Sequence, residues 1–141
     1  IAAPARETEA ILERLRLADV ADVTAGALPL ARQKIIAVGQ ALVSRPRLTI
    51  LDEPLAGLDA PGVAMVQQVI REQIADGRHS IILIDHNVTA VSEVASRVLF
   101  MHNGQAVLAG TTREVLGSAE VSELYFGKTA AAGAAGLRAA R

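Results

Sequence analysis

Between Thr8 and Leu17 the apolar residues Ile11, Leu12 and Leu15 recur at three- and four-residue spacing among Glu and Arg, which predicts a short amphipathic helix. After a break around Thr24 to Pro29, Ile35, Ile36, Val38, Ala41 and Leu42 set out a second helix from Leu30 to Val43, stopped before Pro46. The period then changes. Leu48, Thr49, Ile50 and Leu51 form a nearly continuous apolar run halted by Asp52-Glu53-Pro54, the pattern of a buried parallel strand ending in carboxylates. Asp59 or Ala60, with Pro61, opens a third helix whose Val63, Val66, Ile70 and Ile74 line one face, and Gly77 supplies the left-handed residue that closes it. Ser80 to Asp85 reads as a second buried strand, and Asn87 as the cap of a helix carrying Val88, Val91, Val94 and Ala95. Arg97 to Met101 and Gln105 to Ala109 are expected to pair through an Asn103-Gly104 hairpin turn. Thr111 with Glu114 predicts a capping box on a last short helix.

A strand-helix-strand unit implies a right-handed crossover in an open α/β sheet, whose ligands bind beyond the carboxyl ends of the strands. Asp52, Glu53, Asp85 and His86 fall at that edge. At 141 residues, 51% hydrophobic and 21% charged, the chain has the size and apolar content of one globular domain rather than a disordered segment. Fifteen acidic against fourteen basic residues leave a net charge of −1, so no general field draws in a nucleic acid, and an aromatic content of 2% offers few stacking platforms. The absence of cysteine excludes disulfides, thiolate metal sites and cysteine nucleophiles, and fits the cytoplasmic side. No apolar run approaches the roughly 20 residues needed to cross a bilayer. Ile1 to Arg6 reads as the middle of a longer protein, and the Ala- and Gly-rich stretch 128–141 as a disordered tail.

A carboxylate pair straight after an apolar strand suits phosphoryl transfer, with one acid for a magnesium ion and its neighbour for the attacking water. An acid that merely ends a strand before a proline turn gives the same letters, and the pair alone does not separate the two readings. Further along, Ala56-Gly57-Leu58-Asp59, a helix and a second strand ending in Ile84-Asp85-His86 add weight to the first. LTILDEPLAGLDA, then IILIDHN, then RVLFMHNGQAVLAGT together resemble the second half of an ABC-transporter ATPase domain, over roughly Leu15 to Gly127. RPRLTILDEPLAGL, AGTTREVL and the closing LYFG are most similar to importers of branched-chain amino acids.

That resemblance implies a P-loop NTPase-like open parallel sheet, incomplete for want of its Walker A half, with part of the helical subdomain at 1–45, the ATPase core at 46–127 and a C-terminal β-hairpin. It implies ATP and Mg²⁺ as cofactors: Asp52 holding the metal through water, Glu53 as catalytic carboxylate, Asp59 as the D-loop aspartate and His86 as the switch histidine at the γ-phosphate. It implies as partners a second ATPase subunit and transmembrane permease subunits, no nucleic acid, and a peripheral place on the cytoplasmic face of the plasma membrane. Two departures stand out. The Leu-Ser-x-Gly-Gln signature, whose helix start contacts nucleotide across the dimer, falls on Leu28-Pro29-Leu30-Ala31-Arg32; Pro29, Leu30, Ala31 and Arg32 are the nucleotide-facing positions, with Arg32 and Lys34 as compensating cations. The phosphate loop G-x-x-x-x-G-K-[ST] is missing; Ser122 to Thr129 imitates its end, but Tyr125 and Phe126 are too bulky for amides that must approach phosphate. The expected function is thus an ATP-hydrolysing importer subunit, inactive as this chain alone. Its alternatives are a truncated, non-catalytic module that pairs with a partner ATPase, and an ATPase of the DNA-repair kind. A sheet lacking a strand is further expected to leave Ile82, Ile84, Val98 and Phe100 against open apolar surface.

Overall fold

A computed structural model describes residues 2–75 and 77–126. The described residues fall into two compact units, divided between Val94 and Ala95.

In the first unit α1 (Ala2–Arg14) starts earlier than the apolar spacing predicts. Its opening Ala-Ala-Pro explains this, because alanine is the strongest helix former and a first-turn proline gives up only an amide that has no helical partner. Arg16 adopts a left-handed φ of 51°, ending the helix so that Leu15 and Leu17 both turn inward. The stretch read as a break contains a 3₁₀ turn, Ala25–Ala27, and another, Ala18–Val20, precedes it. The second helix, α2 (Leu30–Val43), has the predicted bounds. It lies close to the end of α1, since a Cβ built on Gly39 would sit 2.9 Å from Leu15 Cδ1.

Next come β1 (Leu48–Asp52), α3 (Ala60–Ile74), β2 (Ser80–Ile84) and the short α4 (Val88–Ser92). The two strands pair in parallel, from Leu48 opposite Ser80 to Asp52 opposite Ile84, as the crossover requires. Ile11, Leu15, Leu17, Ile35, Val38, Leu42, Leu51, Leu55, Val66, Val69 and Ile70 form the core. Each such side chain contributes about 1.5–3 kcal/mol by leaving water. On α3 the buried stripe is turned from the predicted one: Gln67 and Gln73 are buried, whereas Val63 and Ile74 are only half-buried. The two amides are satisfied there, Gln67 Nε2 donating to the Ala90 carbonyl at 2.9 Å and Gln73 Nε2 to the Leu42 carbonyl at 3.1 Å. Among described residues no buried side-chain polar atom lacks a partner.

The second unit is an antiparallel pair, β3 (Arg97–His102) and β4 (Gln105–Thr111), with an irregularity between Phe100 and Met101, followed by α5 (Thr112–Leu116) and α6 (Ala119–Phe126). Asn103 and Gly104 take φ of 48° and 75°, the successive left-handed pair that a tight hairpin turn demands. The capping box forms as expected: the Glu114 amide donates to Thr111 Oγ1, and the Glu114 carboxylate accepts from the Thr111 amide at 2.8 Å. The Thr111 amide, and after it the Thr111 hydroxyl, which also donates to the carboxylate at 2.8 Å, hold the Glu114 carboxyl below the ordinary carboxylate value. Val115 and Val121 are the buried apolar groups of this unit. The expected tail at 128–141 lies outside the described residues.

The parallel strands are buried on one face only. Thr49 and Leu51 are covered, but Leu48, Ile50, Ile82 and Ile84 are 53%, 61%, 47% and 51% exposed. Ile82 and Ile84 match the expected open surface; in the hairpin Leu99 and Met101 are exposed, while Val98 and Phe100 are half-buried. A parallel sheet ordinarily has both faces covered, so the isolated chain is expected to self-associate with rising concentration. Replacing Ile50 and Ile82 together by Thr should suppress that association in sedimentation velocity while changing unfolding free energy by less than about 1 kcal/mol, because both side chains are already in water. Association unaltered by the double substitution would count against this face as its cause.

Candidate functional site

Because β1 and β2 run in parallel register, the residues after Asp52 and Ile84 emerge side by side. The Glu53 amide donates to the Ile84 carbonyl at 2.7 Å, carrying the ladder one step beyond Asp52. Glu53 itself takes a left-handed φ of 46°, a geometry that costs a non-glycine residue roughly 1–2 kcal/mol and here turns the chain out of the strand. Its carboxylate stands in solvent, with Oε1 3.4 Å from His86 Nδ1; the two side chains are 58% and 70% exposed. Asp52 is exposed at the last register position of β1. The structure thus brings Asp52, Glu53 and His86 to one sheet edge.

Asp85 was placed at this edge by the sequence but given no role. Its side chain is fully buried. One carboxylate oxygen accepts from the Leu55 amide at 3.3 Å and the other from the Asn87 amide at 2.9 Å. Asn87 in turn caps α4, its Oδ1 accepting from the Ala90 amide at 3.0 Å. Only the position of Asp85 between an apolar strand and a capping Asn hinted at such a brace.

Asp59 caps α3, accepting from the Gly62 amide at 2.9 Å, with Pro61 in the first turn where its missing amide costs nothing. At the start of α2, Pro29 is the cap residue and makes no side-chain cap bond; Leu30 is 68% exposed, and Ala31 is half-buried. Arg32 forks onto Asp19 at 2.8 and 3.0 Å, an exposed pair worth at most about 1 kcal/mol. Lys34 Nζ donates to the Ala56 carbonyl at 2.7 Å, tying α2 to the segment between Glu53 and Asp59. Both cations are therefore engaged within the chain, and the Lys34 strap had no signal in the sequence. His79, at the other end of β2, pairs with the Arg45 carbonyl at 3.0 Å.

Among described residues no group of three or more His, Asp or Glu could cage a metal ion. A lone exposed carboxylate such as Asp52 suits instead a hard cation that keeps most of its waters and takes further oxygens from a phosphate. A carboxylate able to orient water and an imidazole able to meet a phosphate oxygen stand beside it.

No protein-family model matches the chain. It is 30% identical over 119 residues to the lipopolysaccharide export system ATP-binding protein LptB of Acidithiobacillus ferridurans, covering 84% of this chain and 49% of that protein. It is 33% identical over 123 residues to a probable branched-chain amino acid transport ATP-binding protein, LivG, of Methanocaldococcus jannaschii, covering 84% and 47%. A crystal structure of a nucleotide-free ATP-binding cassette from an ABC transporter is 29% identical, with a TM-score of 0.72 over 89% of this chain and 51% of that one. The chain spans about half the length of the curated relatives it matches.

The cap at Asp59 makes a test that separates scaffold from chemistry. Asp59→Ala should cost about 1 kcal/mol in denaturant unfolding, and Asp59→Asn, which keeps an accepting oxygen, should cost no more than a few tenths. Equal losses in the two variants would mean that the cap is not what Asp59 contributes to stability.

Proposed function

The chain is a homologue of the ATP-binding subunits of ABC transporters, with the fold of their cassettes, and from that premise we propose that it forms the Walker B to H-loop portion of an ATP-hydrolysing transporter subunit. The observation that carries this reading is the 3.4 Å approach of Glu53 and His86 beside Asp52 at the carboxyl end of two parallel strands. Glu53 orients and deprotonates the attacking water. His86 offers a ring nitrogen to the γ-phosphate. Asp52 holds a hydrated Mg²⁺, whose chemistry is to neutralise charge on the transferring phosphoryl group. Glu53 and His86 keep enough exposed side-chain surface to meet a nucleotide there.

Branched-chain amino acids are the proposed cargo, supported by the importer-like wording of the strands and by the LivG relative. The LptB relative, similar at nearly the same identity, makes lipopolysaccharide export the competing assignment. In either case the subunit pairs with a second ATPase and docks on transmembrane permease subunits at the cytoplasmic face of the membrane. No helix among the described residues is long and apolar enough to cross it.

A second reading, a module that pairs with a catalytic ATPase without completing its site, rests on the start of α2. Pro29 offers neither hydroxyl nor amide, and Arg32 and Lys34 are held by Asp19 and Ala56. A flexible cation does not replace a fixed cradle of amides.

Two measurements separate the readings. In the intact subunit assembled with its partners, Glu53→Gln should lower ATP turnover by roughly 10²-fold or more while ATP binding persists; full turnover in that variant would sink the hydrolase reading. Restoring the signature with Pro29→Ser and Ala31→Gly should raise turnover of the assembled transporter by about tenfold or more, the value of one fixed transition-state donor. Unchanged turnover there would mean that the altered helix start does not limit the site.

A further inference from the structure

We propose that Asp85 is a positioning residue that fixes the separation of Glu53 and His86, an inference that rests on the hydrolase reading above. Two hydrogen bonds join the turn after β1 to the end of β2 and the loop that follows it, and a third lies within that loop. The Glu53 amide donates to the Ile84 carbonyl, and the Leu55 and Asn87 amides donate to the two oxygens of Asp85. The first belongs to the backbone and would be made by any residue at position 53. The other two converge on one side chain: through Leu55 the Asp85 carboxylate ties the segment carrying Glu53 to its own loop, and through Asn87 it folds that loop about His86.

The chemistry of a carboxylate explains why this position holds an acid. It is acceptor-only, and each of its oxygens takes one backbone amide, that of the buried Leu55 and that of Asn87. An amide side chain of the same shape offers a single accepting oxygen. Asp85→Asn therefore leaves either Leu55 or Asn87 unmatched and turns an NH₂ group toward an N–H. Asp85→Glu keeps both acceptors but carries them one methylene too far. Its full burial distinguishes Asp85 from its neighbours: Glu53 and His86 stand in solvent on either side of a carboxylate that water does not reach. Two exposed, rotatable side chains are held 3.4 Å apart only as well as their backbones are held, and Asp85 holds both. Its Oδ1 also lies 3.9 Å from His86 Nδ1, so it acts on the pair through the loop backbones and through the imidazole itself.

The test uses the intact subunit, with Gln73→Ala as a matched control that removes another buried side-chain to backbone bond far from these loops. Asp85→Asn should lower kcat by about tenfold or more with KM for ATP within twofold, since misplacement of about 1 Å is enough for such a loss. Gln73→Ala should leave kcat within twofold. Asp85→Asn at wild-type kcat, or an equal fall in both variants, would overturn the proposal. Glu53→Gln run alongside reports on the hydrolase reading separately. Amide hydrogen exchange on the intact subunit stands whatever the turnover shows: in Asp85→Ala the Leu55 and Asn87 amides should exchange at least tenfold faster, with Val69 in α3 unchanged. Unaltered exchange at Leu55 and Asn87 would overturn the brace itself.

Discussion

The parallel register of β1 and β2 is the constraint on which the remaining features depend. Successive side chains in a strand alternate faces, so a slip of one residue would exchange the buried Thr49 and Leu51 for the exposed Leu48 and Ile50 and unseat the core. With the register fixed, Asp52 stands opposite Ile84 and the two chains leave the sheet together. The Glu53 amide then meets the Ile84 carbonyl, and the left-handed turn at Glu53 becomes the only way for Pro54 and Leu55 to fold back into the core. A carboxylate at position 85 falls between the two departing loops. Local strain at Glu53 is tolerated because ladder, core and brace all specify the same backbone path.

The start of α2 is governed by a different constraint. A helix beginning at proline presents fewer amides, and with no side chain capping it the first turn relies on the Gln33 amide returning to the Pro29 carbonyl at 3.1 Å. Gln33 also turns its side-chain amide onto the Leu28 carbonyl at 2.7 Å. Charge that might have faced an anion is spent internally: Arg32 on Asp19 in solvent, Lys34 on the half-buried carbonyl of Ala56. The second of these is mechanically interesting, because Ala56 lies between Glu53 and Asp59. Movement of α2 would be felt directly by the segment that carries the proposed catalytic carboxylate.

Elements whose period or chemistry is local were legible in the sequence. The bounds of α2, the strand before Asp52, the Asn103-Gly104 turn and the Thr111 to Glu114 capping box each rest on neighbours within a few positions, and each forms as read. What escaped was decided across the chain. Gln67 and Gln73 look like solvent residues of an amphipathic helix until Ala90 and Leu42 offer carbonyls to them. Asp85 has the same letter whether it ends a strand in water or braces two loops out of water. At the candidate site the residues on one sheet edge were readable from the strand ends, because topology alone places them there; the distance between Glu53 and His86 and the engagement of Lys34 were not.

Preorganisation follows from where these contacts lie. The bonds described around the Glu53 and His86 pair lie within the first compact unit, most of them between Asp52 and Asn87, with Lys34 adding its strap to Ala56. On the hydrolase reading proposed above, the backbones carrying the pair would thus be set before a nucleotide arrives, and water or phosphate would meet a carboxylate and an imidazole already side by side. The cost of that readiness is borne by the chain in two visible forms, a left-handed glutamate and a buried aspartate. The same logic explains why the opposite face of the sheet can stand open without disturbing the edge. Core packing through Leu51 and Leu55 anchors the strands from one side, while of the exposed isoleucines on the other side only Ile84 enters the bonds that aim Glu53, and it does so through its backbone carbonyl.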